Sequence, residues 1–196
     1  ISTIEGGFVT TDDENIFNLL KAVRSHGWDR DLSKKERTRL SKEWSVDEFN
    51  ALYTFYYAGF NLRSTDLQAK IGIRQIDKLD NVSKIRNSNF FLYNKLIKND
   101  YWMPSQEKDT YVSNFAYPVI HPNRSLMVKK LKDNNIEVRP LICGSMGNQP
   151  FYIKEYGRNK LSNSDIVDKY GFYIPNHPQL EENKIKIISS LIMECM

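Results

Sequence analysis

The sequence predicts an α/β fold, and three observations carry that prediction. A short β-rich run, Phe8–Thr11, passes straight into an amphipathic helical pattern, the strand-to-helix step of α/β chains. Helical periodicity then dominates from Thr65 to Leu96. Beyond about residue 104 strand and helix candidates alternate to the C-terminus.

In chain order, the spacing of Ile16, Leu19, Leu20 and Val23 predicts a helix over residues 13–25. Thr11 and Glu14 stand at capping-box spacing at its start, and Gly27 is placed to end it. The charge run Lys34–Arg39 reads as a solvated helix or loop face. Phe49, Leu52, Tyr53, Phe55, Tyr56 and Tyr57 form an aromatic cluster without interleaved Lys or Arg. Packing or a subunit contact suits it better than base stacking. Gly59–Ser64 is a turn, and Ser64 or Thr65 caps a helix bearing Leu67, Ile71, Ile76 and Leu79. Further on, Tyr111–Ile120, Ile136–Leu141 and Phe172–Ile174 are strand candidates. Ser125–Asn134 (Leu126 and Leu131 inward), Ser162–Lys169 (Ser162 as cap) and Glu181–Met196 are helix candidates. No internal repeat or low-complexity tract appears.

Composition narrows the function classes. At 196 residues the chain can bury a core without disulfide or metal staples. Twenty-eight Lys and Arg against 24 Asp and Glu give +4, too slight an excess to argue for nucleic acid. No apolar run approaches the ~20 residues of a membrane span. Cys143 and Cys195 lie too far apart for zinc or redox spacing, and no paired-histidine motif suggests a metal. Low cysteine use suits the cytoplasm. Glycine-rich nucleotide loops and serine nucleophile elbows are absent. The chain opens abruptly at Ile1, as if cut within a folded protein, so a C-terminal fragment is expected.

Three phrases carry a resemblance. They are Glu5–Glu14 (EGGFVTTDDE), Arg24–Arg30 (RSHGWDR) and Gly59–Gly72 (GFNLRSTDLQAKIG). Together, in this order, they resemble the DegT/DnrJ/EryC1/StrS sugar aminotransferase family. Weaker matches run through Asn135–Pro140 and Ile174–Pro178. The resemblance implies the C-terminal portion of a fold-type-I, pyridoxal 5'-phosphate-dependent enzyme acting on nucleotide-linked keto-sugars. Residues 1–85 would complete the large domain and interdomain helix, and residues 86–196 would form a small α+β domain. The His26-Gly27-Trp28 and Arg30 combination looks closest to the branch of GDP-4-keto-6-deoxymannose 3-dehydratases.

The resemblance also implies roles. Asn61 matches an asparagine that reaches the cofactor phosphate of a neighbouring subunit, so a homodimer is expected. His26 and Arg30 match residues lining the sugar-nucleotide site, and a guanidinium suits a diphosphate. Arg139 is a third substrate-binding candidate, and Arg63 a supporting one. The Schiff-base lysine, or the histidine that replaces it in the dehydratase branch, would lie two residues before Ile1. No catalytic residue is therefore expected within the chain, which alone would be inactive. The bland alternatives are a left-handed turn for Asn61, a helix-end charge for Arg30, a helix-end hydrogen bond for His26 and structural roles for Arg63 and Arg139.

The implied function is modification of a 4-keto-6-deoxysugar for lipopolysaccharide or another surface polysaccharide, leaning to 3-dehydratase chemistry. One alternative is an aminotransferase using glutamate as donor. The other is a non-catalytic remnant that binds a partner subunit through the aromatic cluster.

Overall fold

The computed structural model describes residues 1–196, and they divide into two compact units, Ile1–Asp77 and Lys78–Met196. No helix is long and apolar enough to cross a membrane.

In the first unit, α1 spans Glu14–Val23. Its N-cap is Asp13, whose carboxylate accepts from the Asn15 and Ile16 amides. Thr11 caps one step earlier, accepting from the Asp13 amide. The charge run becomes α2 (Lys34–Glu43), solvated as expected and inward only at Leu40. Ala22, Leu32 and Leu40 form a small core, with Tyr56 and Tyr57 packed on it. Thr65, not Ser64, caps α3 (Asp66–Ile76) through a complete capping box with Gln68.

Phe8–Thr11 forms no strand, and Phe8 is 93% exposed. A strand needs a neighbour to share its ladder. The unit's only bridge joins Ser25 to Asn61. The β propensity is real, but nothing in this unit pairs with it.

The second unit holds α4 (Leu79–Leu96), β1 (Ala116–Ile120), α5 (Arg124–Asp133) and β2 (Arg139–Pro140). Next come α6 (Pro150–Tyr156), α7 (Ser162–Tyr170), β3 (Gly171–Pro175) and α8 (Glu182–Met193). Residue 85 lies inside the unbroken α4. The sheet order is β1-β3-β2, with β3 antiparallel to both neighbours. Tyr117 pairs with Ile174, and Arg139 with Tyr173. The edge strands β1 and β2 therefore run parallel with β3 inserted between them, a split βαβ unit. Each carries a proline, Pro118 or Pro140, which withholds a ladder donor and blunts the edge.

Apolar spacing fixes what covers the sheet. Phe90, Tyr93 and Ile97 follow i, i+3, i+7 spacing around the end of α4, and Ile185, Ile188 and Ile192 do the same on α8. They pack with Met127 and Leu131 of α5 and with Tyr117, Val119, Phe172 and Ile174 of the sheet. Asn176, fully buried after β3, donates to the Asn114 and Arg86 carbonyls and ties three segments together.

Several details differ from the sequence reading. The first strand starts at Ala116 rather than Tyr111, and the second shrinks to Arg139–Pro140. On α5 the inward partner of Leu131 is Met127, one residue past Leu126, which is 55% exposed. The i, i+4 pair lies on one face, whereas Leu126 is turned ~100° away from Met127. Ser162 caps nothing, since the helix begins there and Leu161 is the N-cap. Helix α6, with Pro150 at its first turn, went unread.

Tyr93 and Tyr117 pack rings at 4.8 Å. The Tyr93 hydroxyl donates to the Pro175 carbonyl and the Tyr117 hydroxyl to Asn94 Oδ1. Burial pushes both phenols well above the ordinary tyrosine value, with a further rise at Tyr93 from the Tyr117 charge. A raised folded-state value means the fold retains a proton that the unfolded chain releases. Stability is therefore unaffected below about pH 10 and falls as pH rises beyond it. In a spectrophotometric titration, two of the eleven tyrosines should ionise only as the fold is lost. Early ionisation of all eleven would contradict this burial.

Candidate functional site

The residues after α1 turn sharply. His26 and Gly27 both take positive φ, at 61° and 84°. The segment Gly59–Leu62 runs back antiparallel against this turn. The Phe60 amide donates to the Val23 carbonyl, the His26 amide to the Phe60 carbonyl, and the Leu62 amide to the Arg24 carbonyl. From the other side the Tyr56 amide donates to the Gly27 carbonyl. The approach is close. A Cβ on Gly27 would lie 1.8 Å from the Tyr57 carbonyl oxygen, and one on Gly59 would lie 2.2 Å from the Gly27 nitrogen. Only glycine satisfies both positions.

This crossing gathers His26, Arg30 and Asn61 in one unit. His26 is half-buried, with its ring 5.2 Å from that of Trp28. Trp28 also packs against Phe55 (5.2 Å, stacked) and meets Tyr53 edge-on at 6.1 Å. The Arg30 guanidinium carbon lies 3.8 Å from the Trp28 ring centre and 5.3 Å from that of Tyr53. One of its nitrogens donates to the Leu52 carbonyl at 2.8 Å. The aromatic cluster predicted at 49–57 is thus divided. Tyr56 and Tyr57 face the small core, whereas Tyr53 and Phe55 flank Trp28 and Arg30.

Charge pairing is selective here. Among the arginines of residues 24–39, Arg24 pairs with Asp31, Arg37 with buried Asp29, and Arg39 with Glu36 and Glu43. Arg30 has no carboxylate partner, and it is exposed. A guanidinium carries five donors. With one on Leu52, the rest face solvent or a ligand. Chemically this is a cation prepared for an oxyanion.

Asn61 is exposed, and its side-chain amide makes no hydrogen bond. Its backbone lies in the Ser25 bridge with no positive φ, so the left-handed turn considered for it is not what the fold uses. Arg63 beside it is exposed and makes no ion pair, so a structural salt bridge does not explain it either. An unbonded amide donor and an unpaired guanidinium two residues apart suit phosphate oxygens.

Arg139 belongs to the other unit. It stands on β2, exposed, with its guanidinium bonded to Glu137. That carboxylate holds it charged, with its proton affinity raised further. A groove of about 500 Å³ lies beside it, lined by Arg124, Lys129, Lys132, Val138 and Phe172 among others. His121 accepts the Asn123 amide through Nδ1 at the start of α5, and His177 is exposed in a loop. No cluster of three His, Cys, Asp or Glu side chains is arranged to hold a metal.

Sequence alone assigns Trp28 no role and does not mark Tyr53 and Leu52 as neighbours of Arg30. Arg30 two residues after an indole was a legible signal. The Leu52 carbonyl, 22 residues away, was not.

Comparison with known proteins gives a consistent picture. The family model described as the DegT/DnrJ/EryC1/StrS aminotransferase family matches residues 1–192. The chain is 28% identical over 200 residues to a GDP-4-keto-6-deoxy-D-mannose 3-dehydratase of Yersinia pseudotuberculosis, covering 98% of this chain and 50% of that protein. It is 27% identical over 208 residues to a Campylobacter jejuni UDP-4-amino-4,6-dideoxy-N-acetyl-beta-L-altrosamine transaminase, covering 100% and 49%. Among solved structures, E. coli GDP-4-keto-6-deoxy-D-mannose-3-dehydratase with bound hydrated PLP superposes with a TM-score of 0.78. The identity is 28%, covering 97% of this chain and 51% of that one. The chain spans about half the length of the curated relatives it matches.

The crossing makes a direct prediction. Gly27→Ala should destabilise the first unit by about 1–3 kcal/mol or more, from strained backbone and forced separation at Tyr57. Denaturant unfolding checks it, with Gly7→Ala, where a Cβ meets nothing within 4 Å, as the control. Equal effects at both positions would remove the crossing as a constraint.

Proposed function

The chain belongs to the DegT/DnrJ/EryC1/StrS aminotransferase family, and we propose that it is the C-terminal part of a pyridoxal 5'-phosphate enzyme modifying a nucleotide-linked 4-keto-6-deoxysugar. The reaction favoured is loss of the C3 hydroxyl, as in a 3-dehydratase, and its setting is surface polysaccharide synthesis in the cytoplasm. The observation that carries the reading is Arg30, held over Trp28 without a carboxylate partner, whereas Arg24, Arg37 and Arg39 each have one. A diphosphate linking nucleoside and sugar supplies the missing oxyanion. The likeness to dehydratases over nearly the whole chain supports the choice of reaction.

The residues fit the cofactor at one point. Asn61, with an unbonded amide, would donate to the cofactor phosphate of a second subunit in a homodimer, with Arg63 adding charge. Bound cofactor supplies an electron sink for carbanion chemistry at the sugar. The residues of the first unit orient the substrate: Arg30 holds the diphosphate, and His26 approaches the sugar nucleotide. A transaminase using glutamate remains the second reading, favoured by the likeness to the Campylobacter transaminase.

The position two codons before Ile1 separates the readings. Histidine there supports the dehydratase, lysine the transaminase, and a stop codon or unrelated sequence sinks both. In the full-length protein, Arg30→Ala should raise the KM for a GDP-linked 4-keto-6-deoxysugar about tenfold to a hundredfold, the loss of a charge-assisted contact. An unchanged KM would remove Arg30 from the site.

A further inference from the structure

We propose that Trp28 is the positioning residue of this site. Its indole face holds the Arg30 guanidinium in place for the anionic part of the ligand. The inference rests on the reading of Arg30 as an anion-binding residue and adds what makes that residue competent.

The Trp28 indole Nε1 is buried and has no hydrogen-bond partner. Buried indole N–H groups usually find an acceptor, and an orphaned donor loses its hydration for nothing. If Trp28 served only to fill space, phenylalanine or leucine would do so without that donor. What the indole supplies instead is the most favourable aromatic face for a cation. Arg30 uses that face, its guanidinium carbon 3.8 Å from the ring centre.

The ring is itself held. Phe55 stacks on it at 5.2 Å, Tyr53 meets it edge-on at 6.1 Å, and His26 tilts against it at 5.2 Å. Below it, the amide of Trp28 donates to the Ser25 carbonyl, and the Gly27 carbonyl receives the Tyr56 amide. The indole is thus fixed to the Gly27–Gly59 crossing through backbone on one side and rings on the other. A free arginine samples many rotamers, and ordering it at the moment of binding costs affinity. Here the ring face and the Leu52 carbonyl order the guanidinium beforehand, while the lack of a carboxylate leaves its charge unspent.

The test is a double-mutant cycle in the full-length protein, read by calorimetry with two probes, GDP and inorganic pyrophosphate. Trp28→Leu should weaken both about five- to tenfold, and Trp28→Phe about two- to threefold, following the ranking of aromatic faces. In an Arg30→Ala background, Trp28→Leu should weaken neither probe further. The same loss in both backgrounds would overturn the proposal, as would no loss in the wild-type background. Weakening of GDP without weakening of pyrophosphate would also overturn it, because Trp28 would then touch the base. Where Trp28→Leu fails to fold, Trp28→Phe in the same cycle decides. If the wild-type protein binds neither probe, the anion-site reading falls together with this one. Binding that is insensitive to Trp28 removes only this one.

Discussion

The first unit depends on two stretches of backbone crossing at Gly27 and Gly59, at a separation no side chain survives. Van der Waals exclusion is the controlling interaction, and the hydrogen bonds follow from it. Once the chains approach that closely, the amides and carbonyls of Val23, Arg24, His26 and Gly27 find partners in Tyr56–Leu62. Those bonds fix where the side chains leave the backbone. His26, Trp28 and Arg30 emerge from one arm, and Asn61 and Arg63 from the other. Residues 35 positions apart are thereby held on two short, mutually braced segments rather than on free loops.

The second unit rests on a different constraint. A three-stranded sheet with two short edges has little stability of its own. Here β3 is central, so a single strand must satisfy ladder groups on both sides while burying Phe172 and Ile174. Helices α4, α5 and α8 supply the apolar cover, each through residues at helical spacing. The tyrosine hydroxyls inside this core each reach an acceptor, which makes their burial tolerable. The unit reads as a framework that presents Arg139 and its neighbouring cations on an outer edge.

Legibility in the sequence followed periodicity. Helices α1, α3, α4 and α8 were visible because their apolar residues repeat at 3.6, and α1 and α3 also carry side-chain caps; the break after Ile76 that puts Leu79 on α4 rather than α3 has no such signal. The β3 strand was visible as an aromatic–aliphatic run stopped by Pro175. Phe8–Thr11 misled because strand propensity says nothing about whether a partner exists. Leu126 misled because neighbouring Leu126 and Met127 are both apolar, and only the facing surface chooses between them. At the site, the residues themselves could be picked out by their resemblance to a family. Their arrangement could not, since the Leu52 carbonyl, the Tyr53 edge and the orphaned indole nitrogen are tertiary facts. No spacing rule encodes them.

His26 carries one more consequence. Its backbone sits in the left-handed region, where most residues with a Cβ are strained. Histidine, asparagine and aspartate tolerate that region better than most, and glycine is at home there. Evolutionary drift at this position is therefore filtered by conformation before it is filtered by chemistry. The residues that mutation can try without deforming the turn are few, and apart from histidine none carries an imidazole. Glycine or asparagine at this position would leave the turn intact, whereas a β-branched residue would deform it whatever its chemistry.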